Sequence, residues 1–196
     1  MRRRVVVTGM GVITPLGHSP AELFANVVAG KTAVGPIKHF DARTFPTTFA
    51  SQVSNFDLGT YLPSAEKFAN CGVNTRYALA AAKQALQDAG LLDAPGDRSR
   101  FGVYLGSGEG QENFEALTTS TAKATPDGER TANLGVAARY LFERLNGPQE
   151  AEAEMYAPAG YLADTFALDG PFASCQTACA ASSQAIGEAV EMIRTG

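Results

Sequence analysis

The residue best suited to covalent chemistry is Cys179, which lies where an extended segment meets a helical one. The extended segment begins at Pro171 and Phe172, and a run of good helix formers starts at about Ala178. The apolar residues at helical spacing in that run are Ile186, Ala189, Val190 and Ile193. Such a junction leaves the first backbone N–H groups of the helix without intrahelical partners and puts the positive end of its dipole beside the thiol. Because the thiolate is the reactive form of cysteine, this position suits a nucleophile.

The helix end alone does not activate the thiol fully. Its dipole stabilises a nearby negative charge by about 0.3 to 1 kcal/mol and by about 2 kcal/mol at most, so we expect a base or a cation close to Cys179. Small side chains around Cys179 leave room for a substrate, and they are Thr177, Ala178, Ala180, Ala181, Ser182 and Ser183. The alternative is a buried structural thiol in an alanine-rich helix, and position alone leaves both interpretations open.

The composition excludes several other classes of function. The chain has three cysteines, an odd number that argues against a disulfide framework and for a reducing, cytoplasmic location. Cys175 and Cys179 are four residues apart, but the only histidines, His18 and His39, are distant in sequence, so we expect no metal site. A net charge of −4 offers no footprint for nucleic acid, and no apolar run is long enough to span a membrane.

The sequence pattern predicts an alternation of strands and helices. The expected elements are a buried strand over 2–8, a helix capped by Ser19 and ended by Gly30, a short strand within 48–53, a helix over 64–89 ended by Gly90, a strand over 100–105, helices over 133–145 and 156–166, and a strand after Pro171. Residues 118–130 are expected to be mobile, and Pro148 and Pro158 to interrupt the helical pattern. This alternation predicts an α/β fold with a mostly parallel sheet.

A glycine-rich loop, Gly106-Ser107-Gly108-Glu109-Gly110, follows the predicted strand over 100–105. Such a loop can hold a phosphate group. This one lacks the Lys-Ser/Thr pair of a nucleotide-binding loop, and Asn113 stands where a third glycine belongs. Nucleotide binding is therefore disfavoured.

The segment from Thr177 to Gly187, Thr-Ala-Cys-Ala-Ala-Ser-Ser-Gln-Ala-Ile-Gly, resembles the nucleophile segment of the β-ketoacyl-acyl-carrier-protein synthases. These are condensing enzymes of fatty acid and polyketide synthesis with the thiolase-like fold. The opening from Val5 to Gly17 is similar to the first strand and loop of that family, and His39-Phe40-Asp41 and Gly106-Ser107-Gly108 match two further segments. The resemblance covers essentially the whole chain in the right order.

The resemblance implies a layered, thiolase-like α/β fold, with residues 1–196 forming an incomplete N-terminal β-ketoacyl synthase domain that is cut after the nucleophile helix. It implies that Cys179 carries the acyl group while malonyl-acyl carrier protein is decarboxylated and condensed to a 3-oxoacyl-acyl carrier protein. The substrate-binding residues it implies are Gly106, Gly108, Glu109, Thr177 and Ala178. The implied partners are acyl carrier protein, whose own phosphopantetheine arm makes a dissociable cofactor unnecessary, and a second subunit in a homodimer.

Departures from the family pattern keep alternatives in view. Two histidines and a lysine of the family's catalytic apparatus would lie beyond residue 196, so we expect the isolated chain to be inactive and prone to associate. Glu109 replaces a commonly apolar or small residue, and it either polarises the acyl pocket or turns to solvent. The alternatives are a non-catalytic partner subunit or a truncated remnant of the same fold, or a ketosynthase of polyketide type. The presence of Cys179 disfavours the partner subunit. A thiolase is disfavoured by the residues around Cys179 and by the Val7-Thr8-Gly9 opening.

Overall fold

The computed structural model describes residues 3–108, 110 and 113–196, which form two compact units. The first unit comprises residues 3–69 and 73–97, and the second comprises residues 70–72 together with the described part of 98–196. The first unit contains helix α1 (Pro20–Val28), strands β1 (Val34–Pro36) and β2 (Phe49–Ser51), and helix α2 (Val73–Asp88). The second contains β3 (Val103–Gly106), α3 (Phe114–Lys123), α4 (Leu134–Phe142), α5 (Gly147–Ala151), α6 (Ala157–Phe166), β4 (Phe172–Cys175) and α7 (Ala181–Thr195).

Helix α1 begins and ends as its sequence predicts. The hydroxyl of Ser19 accepts a hydrogen bond from the N–H of Glu22 at 3.2 Å, Pro20 occupies the first turn, and Gly30 follows with a φ of 66°. Its apolar residues Phe24 and Val28 are 71% and 70% exposed, however, so this helix buries no apolar face within the described chain.

The N-terminal segment is not the buried strand that its valine run predicts. Residues 3–13 form no strand, and Val7 is 80% exposed. Instead the segment lies along α2, and a side chain of α2 accepts a backbone hydrogen bond that a neighbouring strand would otherwise accept. The carboxylate of Asp88 accepts from the N–H of Met10 at 2.9 Å. A Cβ atom on Gly9 would lie 2.7 Å from the backbone nitrogen of Ala89, so only glycine permits this approach.

The long helix predicted over 64–89 is shorter at its N-terminal end. Residues Ala65–Phe68 form a 3₁₀ turn, and α2 itself starts only at Val73. Its C-terminal boundary is as predicted, since Gly90 follows with a φ of 66°. The short strand predicted within 48–53 is β2, which pairs antiparallel with β1.

Strands β3 and β4 form the parallel pair that the α/β pattern predicts. Val103 is opposite Phe172 and Gly106 is opposite Cys175, so the two strands end side by side. Helices α6 and α7 both pack against this pair. The fold is thus a mixed α/β arrangement with a small parallel sheet.

Residues 118–130, predicted to be mobile, are in part a helix. Asn113 accepts a hydrogen bond from the N–H of Ala116 at 3.0 Å and caps α3. The hydroxyls of Thr118 and Thr121 donate to backbone carbonyls four residues earlier at 2.7 and 2.9 Å, so the threonines are satisfied within the helix. Among the described residues, no helix is both long and apolar enough to cross a bilayer.

The two prolines predicted to interrupt this region instead lie at the starts of helices. Pro148 is in the first turn of α5, and Pro158 is in the first turn of α6. In the first turn of a helix, backbone N–H groups have no intrahelical partner. Proline has no backbone N–H, so it is tolerated at these positions. The helical spacing predicted over 133–145 and 156–166 corresponds to α4 and α6.

Helix α7 buries a different face from the one its apolar spacing suggests. Ala181 and Ala185 are 4% and 2% exposed, whereas Ile186 and Ile193 are 66% and 53% exposed. The small alanine side chains allow the helix axis to approach the sheet closely, as the contact of Gly106 with the first turn of α7 also shows.

Candidate active site

The candidate site lies where β3 and β4 end together. Beyond the strands the parallel pairing continues for one more bond, from the N–H of Ser107 to the carbonyl of Cys175 at 3.0 Å. The side-chain amide of Gln176 then donates to the carbonyl of Gly108 at 3.4 Å. The glycine-rich loop and the segment around Cys179 are therefore joined at one edge of the sheet, which is where α/β proteins commonly bind ligands.

Cys179 lies on a sharp turn between β4 and α7. Residues Ala178–Ala180 form a 3₁₀ turn that leads directly into the helix, closed by the N–H of Ala180 donating to the carbonyl of Thr177 at 3.0 Å. Ala178 has a φ of 48°, a left-handed conformation that is costly for a residue with a Cβ. Cys179 is exposed, which disagrees with the alternative of a buried structural thiol at this position, whereas Cys175 is buried.

The predicted substrate-binding glycines have different surroundings. A Cβ atom on Gly106 would lie 2.5 Å or less from backbone atoms of Ala181 and Ser182, so this glycine lets β3 meet the start of α7. Gly108 is exposed, with open space where a side chain would stand. Glu109 lies outside the described residues.

A chain of hydrogen bonds ties the turn to α7. The hydroxyl of Thr177 and the side-chain oxygen of Gln184 are 2.8 Å apart, and the amide nitrogen of Gln184 donates to Glu188 at 2.6 Å. Burial, followed by the charge and hydrogen bond of Glu188, raises the pKa of the Cys175 thiol.

This network was not predicted from the sequence. The available signal was spacing: Gln184 and Glu188 are four residues apart and therefore share one face of a helix, and Thr177 bonds to Gln184 on that face. Cys175 on β4 is only 5% exposed and is a core residue.

A second polar cluster lies elsewhere in the same unit. The carboxylate of Glu152, which is only 5% exposed, accepts a hydrogen bond from the N–H of Gly72 at 3.1 Å. Tyr161 is hydrogen-bonded to Glu152 and Cys71. Burial, reinforced by the negative charges of these two neighbours, raises the pKa of Tyr161 to about 12.

The expected base or cation beside Cys179 is not a histidine of its own unit. Both histidines of the chain, His18 and His39, belong to the first unit and lie in bends outside its helices and strands. The backbone N–H of His18 donates to Glu22 at 2.8 Å, its carbonyl accepts from the side-chain amide of Gln84 at 2.9 Å, and its ring meets Phe56 edge-on, so these contacts lie within the first unit. Both are therefore loop residues.

Fold and site together define an α/β protein with an exposed cysteine at a strand-to-helix turn, held against the end of a neighbouring parallel strand. The protein-family sequence model of the β-ketoacyl synthase N-terminal domain matches residues 2–196 of this chain. The chain belongs to the β-ketoacyl synthase family, and its fold is thiolase-like.

Individual proteins agree with this assignment. A 3-oxoacyl-[acyl-carrier-protein] synthase 2 of Coxiella burnetii is 33% identical in sequence over an alignment that covers 98% of this chain and 42% of that protein. A β-ketoacyl synthase structure from Burkholderia phymatum is 25% identical with a TM-score of 0.75, over 100% of this chain and 44% of that one. The structure of a type II PKS acyl-carrier protein in complex with its ketosynthase, AntDE:AntF, matches with a TM-score of 0.74 at 23% identity. The match covers 100% of this chain and 49% of that one. The chain thus spans less than half the length of these relatives.

Proposed function

We propose that this chain supplies the nucleophile of a 3-oxoacyl-acyl-carrier-protein synthase, with Cys179 as the residue that carries the acyl group. The observation that carries the proposal is the exposed thiol at the turn between β4 and α7, next to the N-terminal end of a 15-residue helix. The helix end favours negative charge at this position, and its first turn contains no acidic residue to oppose that effect.

The acylation step involves one bond exchange. The sulfur of Cys179 attacks the carbonyl carbon of an acyl thioester, the bond from that carbon to the carrier's sulfur breaks, and the carrier leaves as a free thiol after taking up a proton. The backbone N–H of Cys179 is the group that would stabilise the developing oxyanion. Condensation with a malonyl thioester, with loss of carbon dioxide, would then yield a 3-oxoacyl thioester two carbons longer.

The relatives support the wider assignment. A relative named 3-oxoacyl-[acyl-carrier-protein] synthase 2 supports fatty acid elongation, and the AntDE:AntF complex supports acyl carrier protein as the partner. The phosphopantetheine arm would then belong to the carrier, and no dissociable cofactor would be needed. We further propose a single N-terminal synthase domain over residues 1–196, a homodimeric enzyme and a cytoplasmic location.

A second candidate is a ketosynthase of polyketide synthesis. It is favoured by the likeness to the ishigamide ketosynthase/chain length factor, which is 27% identical with a TM-score of 0.69 and covers 100% of this chain and 45% of that one. Both candidates use Cys179 in the same first step. They differ in the carrier-bound substrate that would be extended.

The test is to incubate the protein that carries this chain with a saturated acyl-carrier thioester and to locate the adduct by peptide mass spectrometry. We expect the acyl mass on Cys179 and not on Cys71 or Cys175, which are half-buried and buried. The control variant Cys179→Ser should remain folded and acquire no acyl thioester. Absence of any adduct on Cys179 would refute the proposal. Transfer from a fatty acid carrier but not from a polyketide carrier would favour elongation.

A further inference from the structure

The glycine-rich loop after β3 touches the chain on both sides of Cys179. Gly106 lies against the start of α7, since a Cβ atom at this position would overlap the backbone of Ser182. The carbonyl of Gly108 accepts a hydrogen bond from the side-chain amide of Gln176 at 3.4 Å. Because Cys179 lies between these two contacts and is exposed, the position of the loop decides how much space is left beside it.

The far end of the loop rests on the turn that follows α5. A Cβ atom on Gly110 would overlap the carbonyl group of Ala153, so the two backbones are in direct contact and only glycine permits it. Gly110 is two residues beyond Gly108, so their Cα atoms are at most about 7 Å apart. A displacement of Ala153 would therefore leave the loop without support close to the point where it flanks Cys179.

The residue before Ala153 ties this turn to the rest of the second unit. Glu152 is only 5% exposed, and its carboxylate accepts a hydrogen bond from the N–H of Gly72 at 3.1 Å. Tyr161 on α6 is hydrogen-bonded to the same side chain. Hydrogen bonds to a charged acceptor are among the stronger ones in proteins, so this one carboxylate holds the turn firmly to two other segments.

We infer that Glu152 is a positioning residue that, through Ala153, keeps the glycine-rich loop close to Cys179 and so limits the size of the group that the thiol can carry. The inference rests on the proposed function for the identity of that group, an acyl chain. The space beside the thiol can nevertheless be measured with other groups. A loop released from Ala153 would move back and admit larger groups.

The experiment compares two maleimides that differ in the size of one substituent. N-methylmaleimide and N-cyclohexylmaleimide add to a thiolate by the same reaction, and neither requires the protein to be an active enzyme. Their second-order rates at Cys179 are measured by peptide mass spectrometry, and the methyl-to-cyclohexyl ratio is divided by the same ratio for free N-acetylcysteine. We expect this normalised ratio to exceed one in the unmodified protein, because the fixed loop hinders the larger ring.

Substitutions of Glu152 test whether it holds the loop. Loss of one hydrogen bond to a charged group raises the population of the released loop by about ten-fold, so in Glu152→Ala the ratio should fall toward one by up to that factor. Glu152→Gln keeps an acceptor oxygen for Gly72 and should keep most of the ratio. The matched control is Glu154→Ala, which removes the same side chain at an exposed position two residues away and should leave the ratio unchanged.

A second perturbation acts where the loop meets the turn. Gly110→Ala places a methyl group against the carbonyl of Ala153 and should push the loop away, so the ratio should fall as it does in Glu152→Ala. The double variant should show no further fall, because either change alone already separates the loop from its support. If Glu152 only stabilised the fold, the two changes would act on the ratio independently.

The outcomes separate this inference from the proposed function. An unchanged ratio in folded Glu152→Ala would overturn the inference, and so would a ratio of one in the unmodified protein. If melting curves show that Glu152→Ala does not fold, Gly110→Ala decides, and an unchanged ratio in that variant refutes the role of the support. The proposed function fails on a different result, the absence of an adduct on Cys179 after incubation with an acyl-carrier thioester.

Discussion

The contact between Gly106 and the start of α7 leads to a quantitative prediction about a single methyl group. In Gly106→Ala the new Cβ would lie 2.5 Å from the carbonyl carbon of Ala181 and closer still to backbone atoms of Ser182, against about 3.4 Å for an ordinary contact. These are backbone atoms, so no flexible side chain can move aside, and the helix start must shift by about 0.9 Å or more. Overpacking of this kind costs about 1 to 3 kcal/mol, and we expect the upper end.

The matched substitution is Gly187→Ala on α7, where a Cβ would meet nothing within 4 Å. Alanine in place of an interior helical glycine stabilises by about 0.5 to 1 kcal/mol, so the two variants should shift stability in opposite directions. For a chain of this length, a loss of 3 kcal/mol lowers the melting temperature by about 6 to 12 °C. Urea unfolding and the alkylation rate of Cys179 would be measured for both variants. Equal stability of Gly106→Ala and Gly187→Ala would refute the packing argument.

Two further predictions concern other parts of the second unit. Folded Tyr161 keeps its proton to about pH 12 whereas an unfolded tyrosine loses it near pH 10, so its stabilising contribution is complete below pH 10 and is lost between pH 10 and 12. Tyr161→Phe should therefore reduce the fall in unfolding free energy between pH 10 and 12. The control is Tyr156→Phe, because Tyr156 is 55% exposed. If the fall in unfolding free energy is as steep in Tyr161→Phe as in the unmodified protein, the raised pKa of Tyr161 is wrong. Asn133→Ala should lower the unfolding free energy, measured in urea, by about 1 kcal/mol, because the side-chain oxygen of Asn133 caps α4 by accepting a bond from the N–H of Val136 at 3.1 Å. Asn146→Ala should cost less, because the side chain of Asn146 makes no such bond at the start of α5. Equal losses would count against the capping argument.

The turn between β4 and α7 was predictable because its signals are local. A glycine-proline turn, a short extended run and a change to helix formers occur within a few residues, and the structure has β4 and α7 where these signals place them. The same holds for the caps of α1 and the glycine after α2. Local chemistry of this kind does not depend on what packs against the segment.

The errors arose where the outcome depends on a neighbour. Valines at positions 5–7 indicate an apolar strand, but the segment pairs with side chains of α2, and no sequence pattern specifies that partner. On α7 the large apolar residues suggested the buried face, whereas close packing against Gly106 selects the alanine face. The helix α3 was missed because threonine is a weak helix former, and nothing local in the sequence showed that the hydroxyls of Thr118 and Thr121 would be satisfied by carbonyls of the preceding turn.

The approach of the N-terminal segment to α2 has a consequence for how this sequence can diverge. Gly9 and Gly11 each lie against helix backbone at Ala85, Ala89 and Ala81, with no volume left for even one methyl group. A larger residue at either glycine, or at the alanines that face them, therefore fits only if the segment and the helix move apart. Substitutions at these positions cannot accumulate independently of one another. Among diverging descendants of this chain, the two glycines should persist together, and the alanine stripe of α2 should covary with them as one evolutionary unit.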